Sequence, residues 1–423
     1  MSSMARRTAL AVVLTTALAV TGCSGPAGTP AGRDSADEQA RDVSLPRGVS
    51  YSAIVRELDG RSPSHIHVLT IAPTTRARVV GLHGGGLARA ETVRKMAASA
   101  GALAAVNASY FDIHTGKYYG GYEGDPLGLY AEGGKLLSEA TNGRPALLLG
   151  YTGGRLDARV DEITTDDQVT SDDGESQELD GLNRVPGRVL GCGGVGGDRL
   201  SDTEEPMQEP YGGLCTDTSE LVAFTQEWGA RTPPGPPGSL EAVLDADGRV
   251  VSVRKPAGGN LPKNGSTLYG IGSGVDWLRA HAPKGSVITR SVRMKDPTGQ
   301  VVPGPVETAV GGRYRLLRDG ASALGEDAAL TRRAPRTAAG VTADGTLLLV
   351  TIDGRESGVS AGATLGEAAD LMASLGAENA VGLDGGGSTT VVVGGKLRNR
   401  PRETEGQPVT ERPVANALAL LDH

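Results

Sequence analysis

The sequence predicts an α+β fold with mixed, largely antiparallel sheets and a few flanking helices. Residues 64–71 alternate apolar with polar side chains, which is typical of strands. Asp-Gly pairs at 247–248 and 344–345 are typical of hairpin turns between strands. Amphipathic segments at 91–100 and 364–375 predict helices, and each is followed by a glycine that suits a C-terminal cap.

The C-terminal third carries the most specific local signals. Thr364 and Glu367 have the spacing of a capping box, which predicts the start of a helix that Gly376 ends. A strand should follow at 380–383, and a later hairpin should turn at 394–395. These elements place a polar, glycine-rich segment directly after a buried strand.

The first residues resemble an export signal. Two arginines precede an apolar stretch at 8–20, which is too short to span a bilayer and ends just before Cys23. The sequence therefore predicts a lipoprotein signal peptide over residues 1–22 and lipidation at Cys23, with ordinary secretion as the alternative. The protein is expected to lie on the outer face of the cell membrane as a lipoprotein, or to be secreted.

The rest of the chain is predicted to form a tether and one domain. Residues 23–45 are small and Pro/Gly-containing and then charged, which favours a flexible tether. Residues 46–423 form the expected domain, with an insertion or subdomain at about 150–300. Within it, the acidic stretch 157–184 lacks a helical period and predicts a solvated surface excursion.

Charge and composition exclude one class of partner. The chain has 423 residues with 42 Lys and Arg against 50 Asp and Glu, and its pI is near 5.4. Because non-specific nucleic-acid binding needs a basic face, we expect no nucleic-acid partner. A few local arginines could still hold a small anionic substrate.

Export also decides how Cys192 and Cys215 are interpreted. They flank a glycine-rich loop with few apolar residues, and outside the cytosol such a pair favours a disulfide over a metal site. Closing a loop of this size would stabilise the fold by about 3 kcal/mol in the chain-entropy model. The predicted role is structural.

The segment after the predicted strand at 380–383 is the main functional candidate. Asp384 is followed by Gly385–Gly387 and then by the hydroxyls of Ser388 and Thr389. Glycines permit unusual backbone angles and close approach, and successive N–H groups can bind an anion. The alternative is a tight connection whose glycines serve shape alone.

Other chemistries have weaker support. Ser360 lies in a G-x-S-x-G pattern, but no strand runs directly into it, and the available downstream histidine is the terminal residue. The six histidines show no zinc-binding spacing, so no metal ligand is predicted. No cofactor is required by the sequence, and a divalent cation is left open.

Several stretches together resemble the phosphodiester glycosidase family. The strongest resemblance is NAVGLDGGGSTTVVVGGKLRNRP at 379–401, followed by ERPVANAL at 411–418. The stretches AAVNASYFD at 104–112 and RAPRTAAGVTADGTLLLVTIDGR at 333–355 add to it. The resemblance covers most of residues 47–150 and 305–420. Its departures are Ala108-Ser109, where the family often has two glycines, and Gly382, where relatives often have Asn.

The resemblance implies hydrolysis of the bond between a sugar anomeric carbon and a phosphodiester phosphate. It assigns catalytic roles to Asp384 first, with Asp353 or Glu367 as the second acid, and to Arg336 on the phosphate. The expected substrate-binding residues are Asn107, Gly385, Gly386, Gly387, Ser388, Thr389, Arg412 and Asn416. Each of the charged candidates could instead be an ordinary surface or capping residue.

The expected partners are a small or polymeric sugar-phosphodiester substrate and, through the lipid anchor, the membrane. The main alternative function is a non-catalytic lipoprotein of the cell envelope that binds carbohydrate or exopolysaccharide. A third possibility is a scaffold for envelope assembly. Asp384 separates these readings, because only the enzyme needs its carboxylate for turnover.

Overall fold

A computed structural model describes residues 44–60, 62–112, 122–141, 143–190, 199–200, 214–325 and 331–422. Within these ranges the protein is mostly β, with three α-helices: α1 Val93–Ala100, α2 Ser273–His281 and α3 Leu365–Ser374. The strands form small sheets in a propeller-like arrangement. The expected α+β fold is therefore wrong, because short hairpins, not helices, make most of the connections.

The largest sheet has seven strands and carries the segment before the glycine loop. In spatial order its strands are β1 Val49–Glu57, β2 Pro63–Ile71, β26 Leu347–Ile352, β25 Arg336–Thr342, β27 Ala377–Leu383, β23 Tyr314–Arg318 and β24 Ala321–Ser322. Each of its strand pairs is antiparallel.

A five-stranded sheet carries the segment after the glycine loop. Its order is β29 Lys396–Leu397, β28 Val391–Val393, β4 Ala104–Asn107, β30 Asn416–Leu421 and β3 Arg78–His83. Asn107 and Asn416 both lie at the edge where β28 begins, because Val391 pairs with Val106 and Ala417 pairs with Asn107. The glycine loop therefore links the two sheets.

The remaining sheets have five strands or fewer. One has the order β6 Lys135–Ser138, β5 Tyr130–Glu132, β22 Thr308–Gly311, β7 Pro145–Thr152 and β8 Arg155–Glu162. Another has the order β11 Gly181–Leu182, β15 Leu221–Phe224, β20 Ser266–Gly270, β17 Leu240–Leu244 and β18 Val250–Arg254. One three-stranded sheet has the order β10 Ser176–Glu178, β9 Thr164–Ser171 and β21 Ile288–Lys295. A second has the order β12 Arg188–Leu190, β14 Leu214–Thr216 and β13 Arg199–Leu200. A two-stranded sheet pairs β16 Arg231–Thr232 with β19 Gly259–Asn260.

The predicted helices and hairpins are confirmed at the local level. Helix α3 begins with both bonds of the capping box, Glu367 N–H to Thr364 Oγ1 and Thr364 N–H to Glu367 Oε2. Its apolar face packs on the seven-stranded sheet, where Met372 is fully buried. Gly376 follows with φ of 92°, a conformation that glycine adopts at little cost.

The acidic stretch 157–184 is not the expected solvated excursion. It forms β8 to β11, and along β8 the buried positions alternate through Leu156, Ala158 and Val160. The charges are accommodated by pairing, as where Arg290 grips the buried Asp167 with two bonds of 2.7 and 2.6 Å. Alternation of small apolar residues between acids is a strand pattern that a charge count conceals.

Candidate functional site

Asp384 is the first residue after β27, and a single turn of 3-10 helix over Gly386–Ser388 follows it. Two backbone bonds fix the segment: Asp384 N–H donates to Ala108 O at 3.0 Å, and Gly386 N–H donates to Pro335 O at 2.8 Å. The end of β27 is thereby attached to the residues that follow β4 and precede β25.

The three glycines are explained by close protein neighbours. A Cβ at Gly385 would lie 2.8 Å from Pro335 O, and Gly386 has φ of +60° with Arg355 above it. A Cβ at Gly387 would overlap the carboxylate of Glu403, and the guanidinium of Arg412 lies within 3 Å. The close approach seen here is thus between the loop backbone and one backbone carbonyl, at Gly385, and three charged side chains, at Gly386 and Gly387.

The backbone N–H groups of Gly385 and Gly386 are used within the protein. The first bonds to the Asp384 carboxylate and the second to Pro335 O. These two groups are therefore not free to bind a phosphate, and the predicted role of the glycines in substrate binding stays a prediction.

The Asp384 carboxyl group is buried and poised near neutral pH. Its exposed fraction is 5%, and burial raises its pKa to about 6, from 3.8. The Ser388 hydroxyl and the charge of Arg412 oppose that rise. Asp384 Oδ2 has no hydrogen-bond partner among the described residues.

Other buried polar atoms without partners lie on the segments that adjoin Asp384. Within the described part of the chain these are Ser109 Oγ, Thr389 Oγ1, Thr390 Oγ1 and Asn416 Nδ2. Leaving such an atom unsatisfied costs about 1–3 kcal/mol each. Several such atoms on segments that are bonded or adjacent to Asp384 favour a site that binds a polar ligand.

Arg336 supplies positive charge beside the loop. Its guanidinium donates to Ala363 O at 2.9 Å, and burial lowers its pKa. Its charged and ionisable neighbours are Tyr110, Tyr314 and two further arginines, and no carboxylate pairs with it in the ranges that the structure describes. Such a cation favours an anionic ligand.

Arg412 reaches the loop from the other side. It donates from Nη1 to Ser388 Oγ at 3.3 Å and forms a two-point ion pair with Glu403. Arg355, which has a positive φ of 61°, donates to the carbonyls of Arg402 and Glu403. The loop is therefore flanked by two arginines held by the segment 402–412.

Tyr110, Arg355 and Glu403 are candidates that the sequence did not single out. Burial and the nearby Asp384 charge raise the pKa of Tyr110, so its hydroxyl stays protonated as a donor. Tyr110 follows the predicted Asn107 motif, which was the available signal. Arg355 and Glu403 had no signal beyond their charge.

The two proposed second acids are engaged elsewhere. Asp353 accepts from Asn399 Nδ2 at 3.0 Å and from Arg400 N–H at 3.1 Å. Glu367 caps α3 and pairs with Arg333. Both carboxylates thus make contacts within the fold, and the catalytic role that the resemblance implies for one of them stays a prediction.

The two asparagines differ in how far their amides are used. Asn107 Nδ2 donates to Asp384 O at 2.7 Å, while its Oδ1 accepts from Thr337 Oγ1 and Thr390 N–H. Asn107 therefore holds the loop. Asn416 Oδ1 accepts from Ser109 N–H at 2.8 Å, which leaves its Nδ2 for a ligand.

The predictions on cysteines and on the signal segment are not addressed by this geometry. Cys23 and Cys192 lie outside the described residues, so lipidation and the Cys192–Cys215 disulfide stay predictions. Among the residues described, no cluster of three or more His, Cys, Asp or Glu side chains could hold a metal ion. No helix in these ranges is long and apolar enough to cross a membrane.

The fold and the site define a mostly β protein whose buried carboxyl group and nearby arginines suit chemistry on an anionic ligand. Residues 240–421 match the family model described as phosphodiester glycosidase. A crystal structure of a Burkholderia pseudomallei K96243 protein, described as exported, is 33% identical with a TM-score of 0.73, covering 85% of this chain and 74% of that one. Residues 240–421 thus belong to the phosphodiester glycosidase family.

Two more distant structures are similar. A hypothetical protein from Synechocystis has 20% identity and a TM-score of 0.66, over 88% of this chain and 62% of that one. The other is the catalytic domain of zebrafish N-acetylglucosamine-1-phosphodiester alpha-N-acetylglucosaminidase, auto-inhibited by pro-peptide. It has 16% identity and a TM-score of 0.43, over 91% of this chain and 86% of that one. No curated protein matches the chain.

Proposed function

We propose that the protein is an exported hydrolase that cleaves the glycosidic bond of a sugar-1-phosphodiester. Water adds to the anomeric carbon, the bond from that carbon to the phosphate oxygen breaks, and a free sugar and a phosphomonoester result. Family membership and the exported relative from Burkholderia support this proposal. The N-terminal charged and apolar segment supports export as a lipoprotein or a secreted protein.

The observation that carries the proposal is the state of Asp384. A carboxyl group with one unpartnered oxygen and a pKa near 6 can accept a proton from water at neutral pH. In its ionised form it also stabilises the positive charge that develops at the anomeric carbon. Asp384 therefore acts as the base that activates water and as the electrostatic partner of the sugar.

The leaving group explains why one carboxylate suffices. A phosphomonoester has a second pKa of about 6, so it departs as an anion without a strong general acid. Arg336 and Arg412 supply positive charge for it, and the Tyr110 hydroxyl can donate a hydrogen bond. Asp353 and Glu367 are then free to serve the supporting contacts in which they are found.

The test is sugar release from a panel of sugar-1-phosphodiesters, including UDP-N-acetylglucosamine, by the wild type and by Asp384→Asn. We expect release by the wild type and a loss of about 10³-fold or more in the variant. Asp370→Asn is the matched control, because Asp370 is exposed on α3. Glycan binding with no turnover by the wild type would favour the non-catalytic carbohydrate-binding lipoprotein.

A further inference from the structure

A cavity of about 800 Å³ lies where the chain leaves β3. Its walls include Gly86, Arg89, Tyr122, Trp228 and Arg231. None of these residues contributes to the site around Asp384 described above. The cavity is large enough for a sugar unit with an attached anionic group.

Two stacked aromatic rings form part of the cavity wall. The rings of Tyr122 and Trp228 stack at 5.6 Å with an interplanar angle of 11°. Trp228 is fully buried and its Nε1 donates to Arg231 O at 3.0 Å. Tyr122 is half-buried, with its hydroxyl donating to Thr232 O at 3.3 Å. One face of Tyr122 is thus occupied by Trp228, and Tyr122, which is only partly buried, also lines the cavity.

Two guanidinium groups line the same cavity as Tyr122. Burial raises the pKa of Tyr122, and the positive charges of Arg231 and Arg89 oppose the rise. Both arginines are exposed, and in the described ranges neither pairs with a carboxylate. Two acids line the cavity, and one of them, Glu91, forms an ion pair with Lys95. The negative charge of Glu123 then stands against the positive charges of the two arginines.

The walls are fixed by main-chain bonds. Leu87 N–H donates to Glu227 O at 2.7 Å, and Ala88 N–H donates to Trp228 O at 3.0 Å. Gly124 N–H donates to Ala88 O at 3.1 Å, which joins the segment of Tyr122 to the segment of Arg89. A preformed cavity of this kind binds with a smaller entropic cost than a flexible one.

The cavity and the Asp384 site begin at the same edge of one sheet. His83, the last residue of β3, pairs with Asn416, and Asn107, the last residue of β4, pairs with Ala417. Strand β30 lies between them, so the two chain exits are separated by about 10 Å, which is two strand spacings. A ligand that reaches from one of these chain segments to the other therefore has to extend over about 10 Å.

We propose that this cavity is a subsite for a second anionic sugar unit, and that the substrate is a polyanionic glycan which spans it and the Asp384 site. The inference rests on the proposed function and extends it from the bond cleaved to the class of polymer. Tyr122 stacks against the sugar ring, and Arg89 and Arg231 hold its phosphate or carboxylate group. A single sugar-1-phosphodiester leaves the subsite unused.

The experiment uses the full chain and compares Arg89→Gln/Arg231→Gln with the wild type. The probes are a synthetic four-unit sugar-1-phosphate oligomer, an oligomer of the same length that carries uronic carboxylates, and a single-unit phosphodiester. Arg155→Gln/Arg293→Gln is the matched control, because both of these arginines are exposed on other sheets. The two oligomers distinguish a phosphate from a carboxylate as the group that is bound.

We expect kcat/KM for an oligomer to fall about tenfold or more in the double variant, through KM, which corresponds to one lost bond to a charged group. Turnover of the single-unit substrate should stay within about twofold. Equal effects on oligomer and single unit, or none on either, would overturn the subsite. The proposed function would then still stand on the wild-type turnover.

Calorimetric binding of the oligomers to Asp384→Asn, with and without the arginine changes, provides the readout that needs no turnover. Loss of affinity on removing Arg89 and Arg231 supports the subsite even if the protein releases no sugar. Unchanged affinity overturns it. Failure of the proposed function and failure of the subsite thus give different results.

Discussion

The side-chain amide of Asn107 donates a 2.7 Å hydrogen bond to the backbone carbonyl of Asp384. The same residue accepts from Thr337 and Thr390, so one fully buried side chain links β4, β25 and the glycine loop. Asp384 in turn donates its N–H to Ala108. The position of the Asp384 carboxyl group therefore depends on a residue 277 positions away in sequence.

Asn107→Ala should lower both stability and turnover. The change leaves the Thr390 N–H, the Thr337 hydroxyl and the Asp384 carbonyl without a partner in a buried site, so we expect the free energy of unfolding to fall by about 2–4 kcal/mol. Urea unfolding measures this. Asn264→Ala, at an exposed position, is the control and should change stability by less than about 0.5 kcal/mol. An unfolding free energy unchanged in Asn107→Ala would contradict the linking role.

Gly385→Ala and Gly387→Ala should separate stability from function. At Gly385 the new Cβ meets a backbone carbonyl that cannot move aside, so we expect a loss of stability of about 1–3 kcal/mol. At Gly387 it meets the flexible ends of Glu403 and Arg412, so the main effect should be displacement of Arg412 from Ser388. For Gly387→Ala we therefore expect kcat/KM to fall about tenfold or more, while the free energy of unfolding stays close to that of the wild type.

Gly325→Ala serves as the control for both changes, since that glycine has open space around it and no positive φ. Unfolding and turnover are measured on all three variants. The assignment fails if Gly385→Ala and Gly387→Ala show the same ratio of stability loss to activity loss.

The pH dependence of turnover should report Asp384. Its folded pKa is about 6, and the base must be ionised, so kcat/KM should rise with pH to a plateau with a midpoint near 6. A rate profile between pH 4.5 and 8 measures this. A profile that falls through the same range would show that the protonated form is needed, which would make Asp384 an acid.

Asp384→Asn should stabilise the fold at neutral pH. Because burial raises the pKa of Asp384 above its unfolded value, the folded state binds the extra proton, and stability falls as pH rises from about 4 to about 6. Above that window the wild type bears a penalty of up to about 3 kcal/mol, at 1.36 kcal/mol for each pKa unit. The asparagine removes the penalty.

Urea unfolding at pH 4 and pH 7 measures the difference in unfolding free energy between the wild type and Asp384→Asn. We expect this difference to be largest at pH 7 and smallest at pH 4. Other buried acids such as Asp125 and Asp180 are unchanged in the variant, so their contributions cancel. A variant that is less stable than the wild type at pH 7 would be inconsistent with a buried, poorly satisfied carboxylate.

The sequence predicted local elements well and their assembly poorly. Caps and Asp-Gly turns are properties of a few adjacent residues, so α3 and the hairpin at 344–345 could be read directly. The fold class was wrong because hydrophobic periodicity does not reveal which strands will pair or how many small sheets they will form. The strands within 157–184 were missed because β8 buries single apolar residues between charged ones, and because the buried face of β9 includes the charged Asp167.

The part of the site that lies in one sequence motif could be predicted. Asp384 and the glycines stood out because three adjacent glycines need a structural cause. The positioning role of Asn107 and the part of Arg355 depend on contacts between segments far apart in the chain, which no local pattern encodes. Charge alone could not show that Asp353 and Glu367 are bonded to neighbouring groups, whereas Asp384 keeps one oxygen without a partner among the described residues.

Asp353→Asn distinguishes a supporting carboxylate from a catalytic one. The Asp353 carboxylate accepts from Asn399 and from the Arg400 N–H, and Asn399 in turn donates to Thr389 O at 2.9 Å. An asparagine keeps one acceptor oxygen, so the loop should stay in place, and we expect about a tenth or more of wild-type kcat to remain. Asp353→Ala removes both acceptors and should cost about 2–4 kcal/mol of stability. Steady-state kinetics and urea unfolding measure the pair, and a loss in Asp353→Asn as complete as in Asp384→Asn, with stability intact, would make Asp353 the second catalytic acid.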